Sequence, residues 1–263
     1  MPLRRFSIGP AGEEVYRRFV GELAEKFDDP ALDRNVVARA ALTELYLGRT
    51  VSWDEAVADP ASPLGVRTML ASFDPRNATL EAEYYKEIDL EKWARVKPLL
   101  WFWQMFDHSP VGRNVRLGTQ VRAMLAPRVF RRCGRDIRIF HDVEFSFGYN
   151  LSVGDGVTIH RNVLIDDRGE VVIGNEVSIS DYANIYSHGH AIEDIHDVSL
   201  GRTVIGDRAR LTYHAVVLSG VEIGADALVG SMGVASKPVD PGVIAAGIPA
   251  KPIGQKKVLS PKS

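Results

Sequence analysis

The sequence predicts an α-helical N-terminal part followed by a parallel β-solenoid, and three observations carry that prediction. After about residue 140 aliphatic residues recur every six positions. Before about residue 110 apolar residues recur at helical spacing. The six-residue period is interrupted at only two places, so it is a real repeat and not a chance run.

The repeat is clearest in "IGDRAR LTYHAV VLSGVE IGADAL VGSMGV". Written in sixes, it puts Ile205, Leu211, Val217, Ile223 and Val229 in one column and Ala209, Ala215, Val221, Ala227 and Gly233 four positions on. The same register appears upstream, with Phe147, Val153, Ile159 and Ile165 in one run and Ile173, Ile179 and Ile185 in the next. A period of six matches neither a helix nor an alternating strand. It fits a triangular prism in which each hexapeptide is one short strand and one turn, and three complete a coil. The aliphatic residue then faces inward, and the position four later must be small because it also faces the narrow interior. Gly154, Gly174, Gly206, Gly224 and Gly230, beside the aliphatic column, are expected to ease the corner turns. Four to five coils at strand spacing would stand about 20–25 Å tall, with each coil stabilised only by its neighbours. The ends therefore need caps, and the helical part and the proline-containing C-terminus are the segments available.

In the helical part, "EEVYRRFVGELAEKF" sets Val15, Phe19, Leu23 and Phe27 on one face. "NVVARAALTELYLG" is rich in helix formers and stops on Gly48. "SWDE" at 52–55 has capping-box form. A longer helix is expected from Thr79 towards Phe106, with Pro98 as a kink or boundary and "PLLWFWQMF" as a core or interface segment. The expected organisation is a helical domain over 1–110, a connector over 111–135, the β-helix over 136–237 with an excursion at 187–204, and a C-terminal tail over 238–263.

Composition narrows the function classes. With 32 Lys+Arg against 34 Asp+Glu the net charge is −2, which argues against a dedicated nucleic-acid binder. A single cysteine, Cys133, excludes an intramolecular disulfide framework and suits a reducing cytoplasm. "MPLRRFSIGPAGEEVYRRF" lacks the long apolar stretch of an export signal, and the most apolar run is too short to span a bilayer, so no stable membrane insertion is expected.

The two breaks in the period direct attention to chemistry. From Ile165 to Ile173 the spacing is eight, and the extra residues follow Asp166 and Asp167. From Ile185 to Ile205 it is twenty, and that excursion is rooted in "NIYSHGHAIEDIHD", with His188, His190 and His196. Histidines at the base of a projecting loop, near acidic residues of an earlier coil, make a plausible site. His108, His141, His160 and His196 have only their residue type to recommend them.

In these residues the chain resembles the hexapeptide-repeat acyltransferases, especially the maltose/galactoside O-acetyltransferase branch. The resemblance covers about residues 136 to 253 and rests on the repeats, on "IDD … IGNEVSISDYANIYSHGH" and on the closing "AAGIPAKPI". It implies a left-handed β-helix, contrary to the usual right-handed crossover of parallel strands. It also implies acetyl-CoA as co-substrate with no metal, and a homotrimer whose grooves lie between adjacent prisms. By resemblance His190 is the general base, and the backbone N–H of Tyr213 serves the oxyanion. Asp166 and Asp167 meet acceptor hydroxyls, and Asn162 and His188 are expected as further substrate contacts. Gly230, Ser231, Ser236, Lys237 and Lys251 follow the coenzyme, the lysines meeting its phosphates. Glu193 or Asp194 could orient the His190 ring, and His214 stands beside the oxyanion position.

The chain departs from the family pattern at Arg161, Ala191, Arg210–Thr212 and Met232, which leaves the acceptor open. Two other readings compete. One is a zinc-dependent lyase of the β-helical carbonic anhydrase type, using His188 or His190 with His214. The other is a non-catalytic solenoid scaffold.

Overall fold

The computed structural model describes residues 7–256. Residues 1–6, within the stretch read as lacking an export signal, and 257–263, within the expected C-terminal tail, lie outside the described residues. The chain forms two compact units, one up to Ala78 and one from Thr79.

The first unit is helical: α1 (Pro10–Asp28), α2 (Arg34–Leu47), α3 (Trp53–Ala58) and α4 (Leu64–Ser72). The predicted α1 stripe is used only at its C-terminal end, where Leu23 and Phe27 are buried while Val15 stays exposed. Asp33 caps α2 by accepting from the Asn35 N–H, and Gly48 ends it at φ +66°. Ser52 does precede α3, but its side chain makes no capping hydrogen bond, so the capping box expected there is not formed.

The second unit begins not with the long helix expected from Thr79 but with a 3₁₀ turn at Glu81–Tyr84. Helix α5 (Leu90–Asp107) follows, with Pro98 inside it rather than at its end. The segment expected to be a connector is largely helix α6 (Val115–Val129). Its pattern is obscured by Gly118, where a Cβ would meet the Arg122 guanidinium at 2.5 Å. Arg122 is buried against Asp107, which accepts from its Nε at 2.8 Å and from its Nη2 at 2.5 Å; the other Asp107 oxygen accepts from the Asp142 N–H at 2.9 Å. Helices α5 and α6 close the lower end of the prism, where Trp103 and Phe130 pack edge-on against Phe145 at 5.4 and 5.0 Å. The polypeptide that caps the solenoid thus comes from 79–129, inside the solenoid unit.

The rest is a parallel β-helix of the left-handed class. Its first face stacks Arg132–Cys133, Leu151–Val153, Glu170–Ile173, Arg202–Ile205 and Glu222–Ile223. The second stacks Arg138–Ile139, Thr158–Ile159, Ser178–Ile179, Arg210–Leu211, Leu228–Val229 and Val243–Ala246, with Lys251–Gln255 added antiparallel. The third stacks Glu144–Phe145, Leu164–Asp166, Asn184–Tyr186, Val216–Val217 and Val234–Ala235. Repeat strands therefore run from 132, and the last parallel one, Val243–Ala246, lies beyond the expected limit of 237. This makes five full coils and the start of another, more than the lower expectation of four. The inward column is sealed from the surface: Ile159, Ile165, Ile179, Ile185, Ile205, Leu211, Val217, Ile223 and Val229 are fully buried.

The corner glycines do a different job from the one expected. None of Gly154, Gly174, Gly206 or Gly224 has positive φ; the left-handed corner positions belong to residues such as Glu176, Arg208 and Asp226. The glycines are needed because consecutive coils nearly touch. A Cβ on Gly206 would lie 2.6 Å from the Ala225 nitrogen, and one on Gly154 2.7 Å from the Gly174 carbonyl.

Candidate active site

The prism has three edges, and the irregularities fall on one of them. On the edge between the third and first faces, the chain after Leu164–Asp166 turns through Asp167, Arg168 and Gly169. One coil higher, after Asn184–Tyr186, it leaves the prism as an antiparallel hairpin. His188–His190 pairs with Val198–Leu200, with His188 opposite Leu200 and His190 opposite Val198. Residues 188 and 190 alternate along one strand, so both imidazoles leave the same face. Their ring centroids are 5.1 Å apart and their planes perpendicular.

Each ring is held through Nδ1. His190 donates from Nδ1 to the Ile195 carbonyl at 2.6 Å, across the hairpin. In the neutral ring that bond fixes the tautomer, so that Nε2 is the acceptor on an exposed side chain. The carboxylates of Glu193 and Asp194, expected as orienters, do not take this role; Asp194 instead accepts from the His196 N–H at 2.8 Å. His188 donates from Nδ1 to Asp166 Oδ2.

The acidic pair does not offer itself to solvent as expected. Asp167 is wholly buried and ties down the turn of the coil below, accepting from the Phe147 N–H at 2.7 Å and the Asn150 N–H at 3.1 Å. Burial pushes its carboxyl up to about 6, against the downward pull of the Gly148, Phe147 and Asn150 N–H groups. Asp166 is 3 % exposed, and its Oδ1 accepts from Ser146 Oγ and from the Arg168 N–H, both at 3.1 Å. Neither carboxylate is free to meet an acceptor hydroxyl: one holds the backbone and the other holds His188.

Several residues of this corner escaped sequence reasoning. Ser187 is fully buried, donating to the Asp166 carbonyl at 2.6 Å and accepting from the Gly169 N–H at 2.8 Å, which locks the root of the hairpin. Arg168 reaches Glu87 at 2.5 Å and lies 4.0 Å over the Tyr85 ring. Burial pulls the Glu87 carboxyl up, but hydrogen bonds from its own N–H and Arg168, with the charges of Arg168 and His188, hold it below the usual range. Glu87 is separated from Arg168 by 81 residues in an aperiodic stretch, so no local spacing announces the pair. Ser187 has a signal in hindsight, since it occupies the root of the longer register break.

The other expected residues are divided between edges. Asn162, Tyr213, Gly230 and Ser231 lie where the second face passes into the third. The Tyr213 N–H makes no hydrogen bond among the described residues, whereas the neighbouring His214 N–H is used by Asp181 at 3.2 Å. The His214 ring stacks on Tyr182 at 4.9 Å, as His160 stacks on Phe140 at 4.9 Å, so both are packing residues of that edge. The closing "AAGIPAKPI" folds against the same edge, with the Val234 N–H donating to Gly247 and the Ala250 N–H to Val234, which sets exposed Lys251 near Gly230 and Ser231. Ser236 and Lys237, both exposed, follow Val234–Ala235 on the hairpin's own edge. A cavity of about 450 Å³ opens beside Gln104, His108, Arg113, Asp142 and Asn162, and neither hairpin histidine lines it.

One chain therefore splits the expected site: the histidines, with Ser236 and Lys237, stand at one end of the third face, and the Tyr213 N–H, Asn162, Gly230, Ser231 and Lys251 stand at the other. The zinc alternative meets the same division, because His214 is on the far edge from His188 and His190, and among the described residues no three His, Cys, Asp or Glu side chains converge as ligands. Among the described residues no helix is long and apolar enough to cross a membrane.

No family model matches the chain. It is 27% identical over 169 residues to galactoside O-acetyltransferase of Escherichia coli K12, covering 62% of this chain and 78% of that protein. It is 31% identical over 116 residues to serine acetyltransferase of Mycobacterium tuberculosis, covering 41% of this chain and 47% of that protein; the chain thus spans about half the length of this second relative. Among solved structures, galactoside acetyltransferase in complex with coenzyme A superposes with a TM-score of 0.56 at 26% identity, covering 63% of this chain and 81% of the other. The fold is also that of a maltose O-acetyltransferase from Clostridium difficile 630, with a TM-score of 0.58 at 20% identity, covering 69% of this chain and all of the other. In its coils, its excursion and its closing segment, the chain is similar in sequence and fold to the hexapeptide-repeat acetyltransferases.

Proposed function

We propose that the protein transfers an acetyl group from acetyl-CoA to a hydroxyl of a sugar or similar small molecule, with His190 as the general base. The observation that carries this reading is the His190 ring itself, exposed and fixed through Nδ1 to the Ile195 carbonyl, with Nε2 unpartnered among the described residues. Nε2 takes the acceptor proton as the hydroxyl oxygen attacks the thioester carbonyl. The resulting oxyanion accepts from the Tyr213 N–H. Collapse breaks the C–S bond, and the imidazolium returns its proton to the departing thiolate. Base catalysis of this kind contributes about 10²–10⁴-fold, with oxyanion stabilisation adding to it.

The residues present suit coenzyme A. Lys237 and Lys251 are exposed and lie in no ion pair among the described residues, which leaves them available for its phosphates. The single cysteine suits a cytoplasmic enzyme. The split between edges supports a homotrimer: the hairpin edge of one prism would meet the Tyr213 edge of the next, so that base and oxyanion donor come from different copies.

Thiol release from acetyl-CoA across a panel of sugars, amino acids and aminoglycosides tests the reading, with His190→Ala in parallel. Acceptor-dependent release that is lost in the variant supports it, and release unchanged by the variant removes His190 as base. Light scattering at micromolar concentration is expected to give a trimer; a monomer would leave the oxyanion donor and the base apart and contradict the arrangement.

A further inference from the structure

The two imidazoles of the hairpin are held differently, and the difference bears on the acceptor; the argument rests on the reading of His190 as base. Both rings use Nδ1–H as a donor, His190 to a backbone carbonyl and His188 to Asp166, so each neutral ring presents Nε2 as an acceptor. Transfer needs only one such acceptor, to take the proton of the reacting hydroxyl. The second stands on the same strand face with its ring 5.1 Å away, and its Nε2 has no partner among the described residues. It is also the more elaborately supported of the two. Asp166 is buried, its other oxygen is taken by Ser146 and the Arg168 N–H, and its carbonyl is tied to buried Ser187. The His188 side chain is 18% exposed, and an imidazole held at such a rim with no task has no need of a buried carboxylate fixed at every oxygen.

We infer that His188 is a specificity-determining residue that accepts a hydrogen bond from a second hydroxyl of the acceptor, close to the one being acetylated. The substrate class is then a neutral polyol carrying neighbouring hydroxyls, in preference to a simple alcohol. Asp166 is the positioning residue: it holds the ring so that Nε2 faces the substrate side. The charges around His188 agree with a neutral acceptor. Asp166 and Glu87 both face it, and the nearby Arg168 is occupied by Glu87, so an anionic substituent would meet carboxylates rather than a free cation. A hydroxyl meets an acceptor nitrogen.

The test compares methyl hexopyranosides with their monodeoxy analogues in acetyl-CoA-dependent thiol release. Wild type, His188→Ala, His188→Gln, Asp166→Asn and His190→Ala are assayed side by side, and a thermal melt of each establishes folding. Wild type is expected to lose about tenfold in kcat/KM when the hydroxyl next to the acetylated one is missing, the size of one hydrogen bond made in competition with water. In His188→Ala that preference should collapse towards unity, mainly through the acceptor KM and without change in the KM for acetyl-CoA. His188→Gln should restore part of it, and Asp166→Asn should erode it. Equal use of the monodeoxy sugars by wild type, or a preference that survives in His188→Ala, overturns the inference. If His190→Ala still abolishes turnover, the transferase reading stands even so. Absence of thiol release with every sugar, despite acetyl-CoA binding, overturns the inference alone, and absence of acetyl-CoA binding overturns both.

Discussion

Two edges of one prism are built to opposite rules. Where the first face passes into the second, every coil turns alike: glycines let backbones nearly touch, and side-chain oxygens of Asp155, Asn175 and Asp207 accept the backbone N–H of Arg135, Asp155 and Asn175 one coil below, at 2.7–2.9 Å. Where the third face passes into the first, no two successive turns match. Asp167 fills one turn, and the next leaves the prism as the His188–His190 hairpin. Periodic stacking fixes the coils in space, and that rigidity lets the other edge depart from the repeat and hold side chains at set angles. Repeat and departure from the repeat are thus separated across the width of a single coil.

The largest expected effect lies on the irregular edge. His190→Ala should reduce acetyl transfer by about 10²–10⁴-fold while the melting temperature stays within a degree or two, because the side chain is exposed and touches only the hairpin. A matching loss of stability would mean that the hairpin is structural and would erase the contrast.

Asp167 tests whether the irregular edge also carries structure. Its folded-state carboxyl titrates near 6 where an unperturbed aspartate titrates near 3.8, so between those values the folded chain binds more protons than the unfolded one. The group therefore favours folding below about pH 4, and that contribution, at most about 3 kcal/mol, is lost as pH rises through 6. Compared with Asp167→Asn, the wild-type melting temperature should fall from pH 4 to pH 6.5; parallel curves for the two proteins would show that the N–H donors have cancelled the burial.

The regular edge is sharpened by a glycine pair. Gly206→Ala forces a Cβ to within 2.6 Å of the Ala225 nitrogen and should cost about 1–3 kcal/mol, read from urea unfolding. Gly189→Ala, whose Cβ would meet nothing nearer than Ser199 Oγ at 3.4 Å, should change stability by about 0.5 kcal/mol or less. If the two variants unfold alike, the edges are not built differently.

Sequence periodicity reveals the regular edge well and the irregular one poorly, for a physical reason. Repeated burial in the same environment selects the same residue type every six positions, so Ile205 through Val229 are legible as a column. Register breaks at Asp166 and after Ile185 are legible by the same logic, as is the candidacy of His190 once the closing segment is considered. What holds each histidine is not legible. The Ile195 carbonyl is a backbone group with no residue signature, and the Glu87–Arg168 pair joins segments far apart in sequence. The exposure of a carboxylate is likewise a tertiary property, which is why Asp167 reads as a ligand for hydroxyls and proves to be a peg in the backbone. Helix α6 is hidden because Gly118 and Pro127 weaken its local propensity, while packing against the prism decides its state.

The strand that finishes the second face has a consequence for the protein in concentrated solution. A parallel solenoid that simply stopped would leave a row of open N–H and C=O groups, ready to template the next molecule end to end. Here Lys251–Gln255 lies antiparallel on Val243–Ala246, and this outermost strand carries a charge at Lys251 and lacks a donor at Pro252. A second prism arriving from above would meet a reversed strand whose ladder is interrupted by a charge and a missing donor. The same short segment thereby guards the fold against growth into fibres.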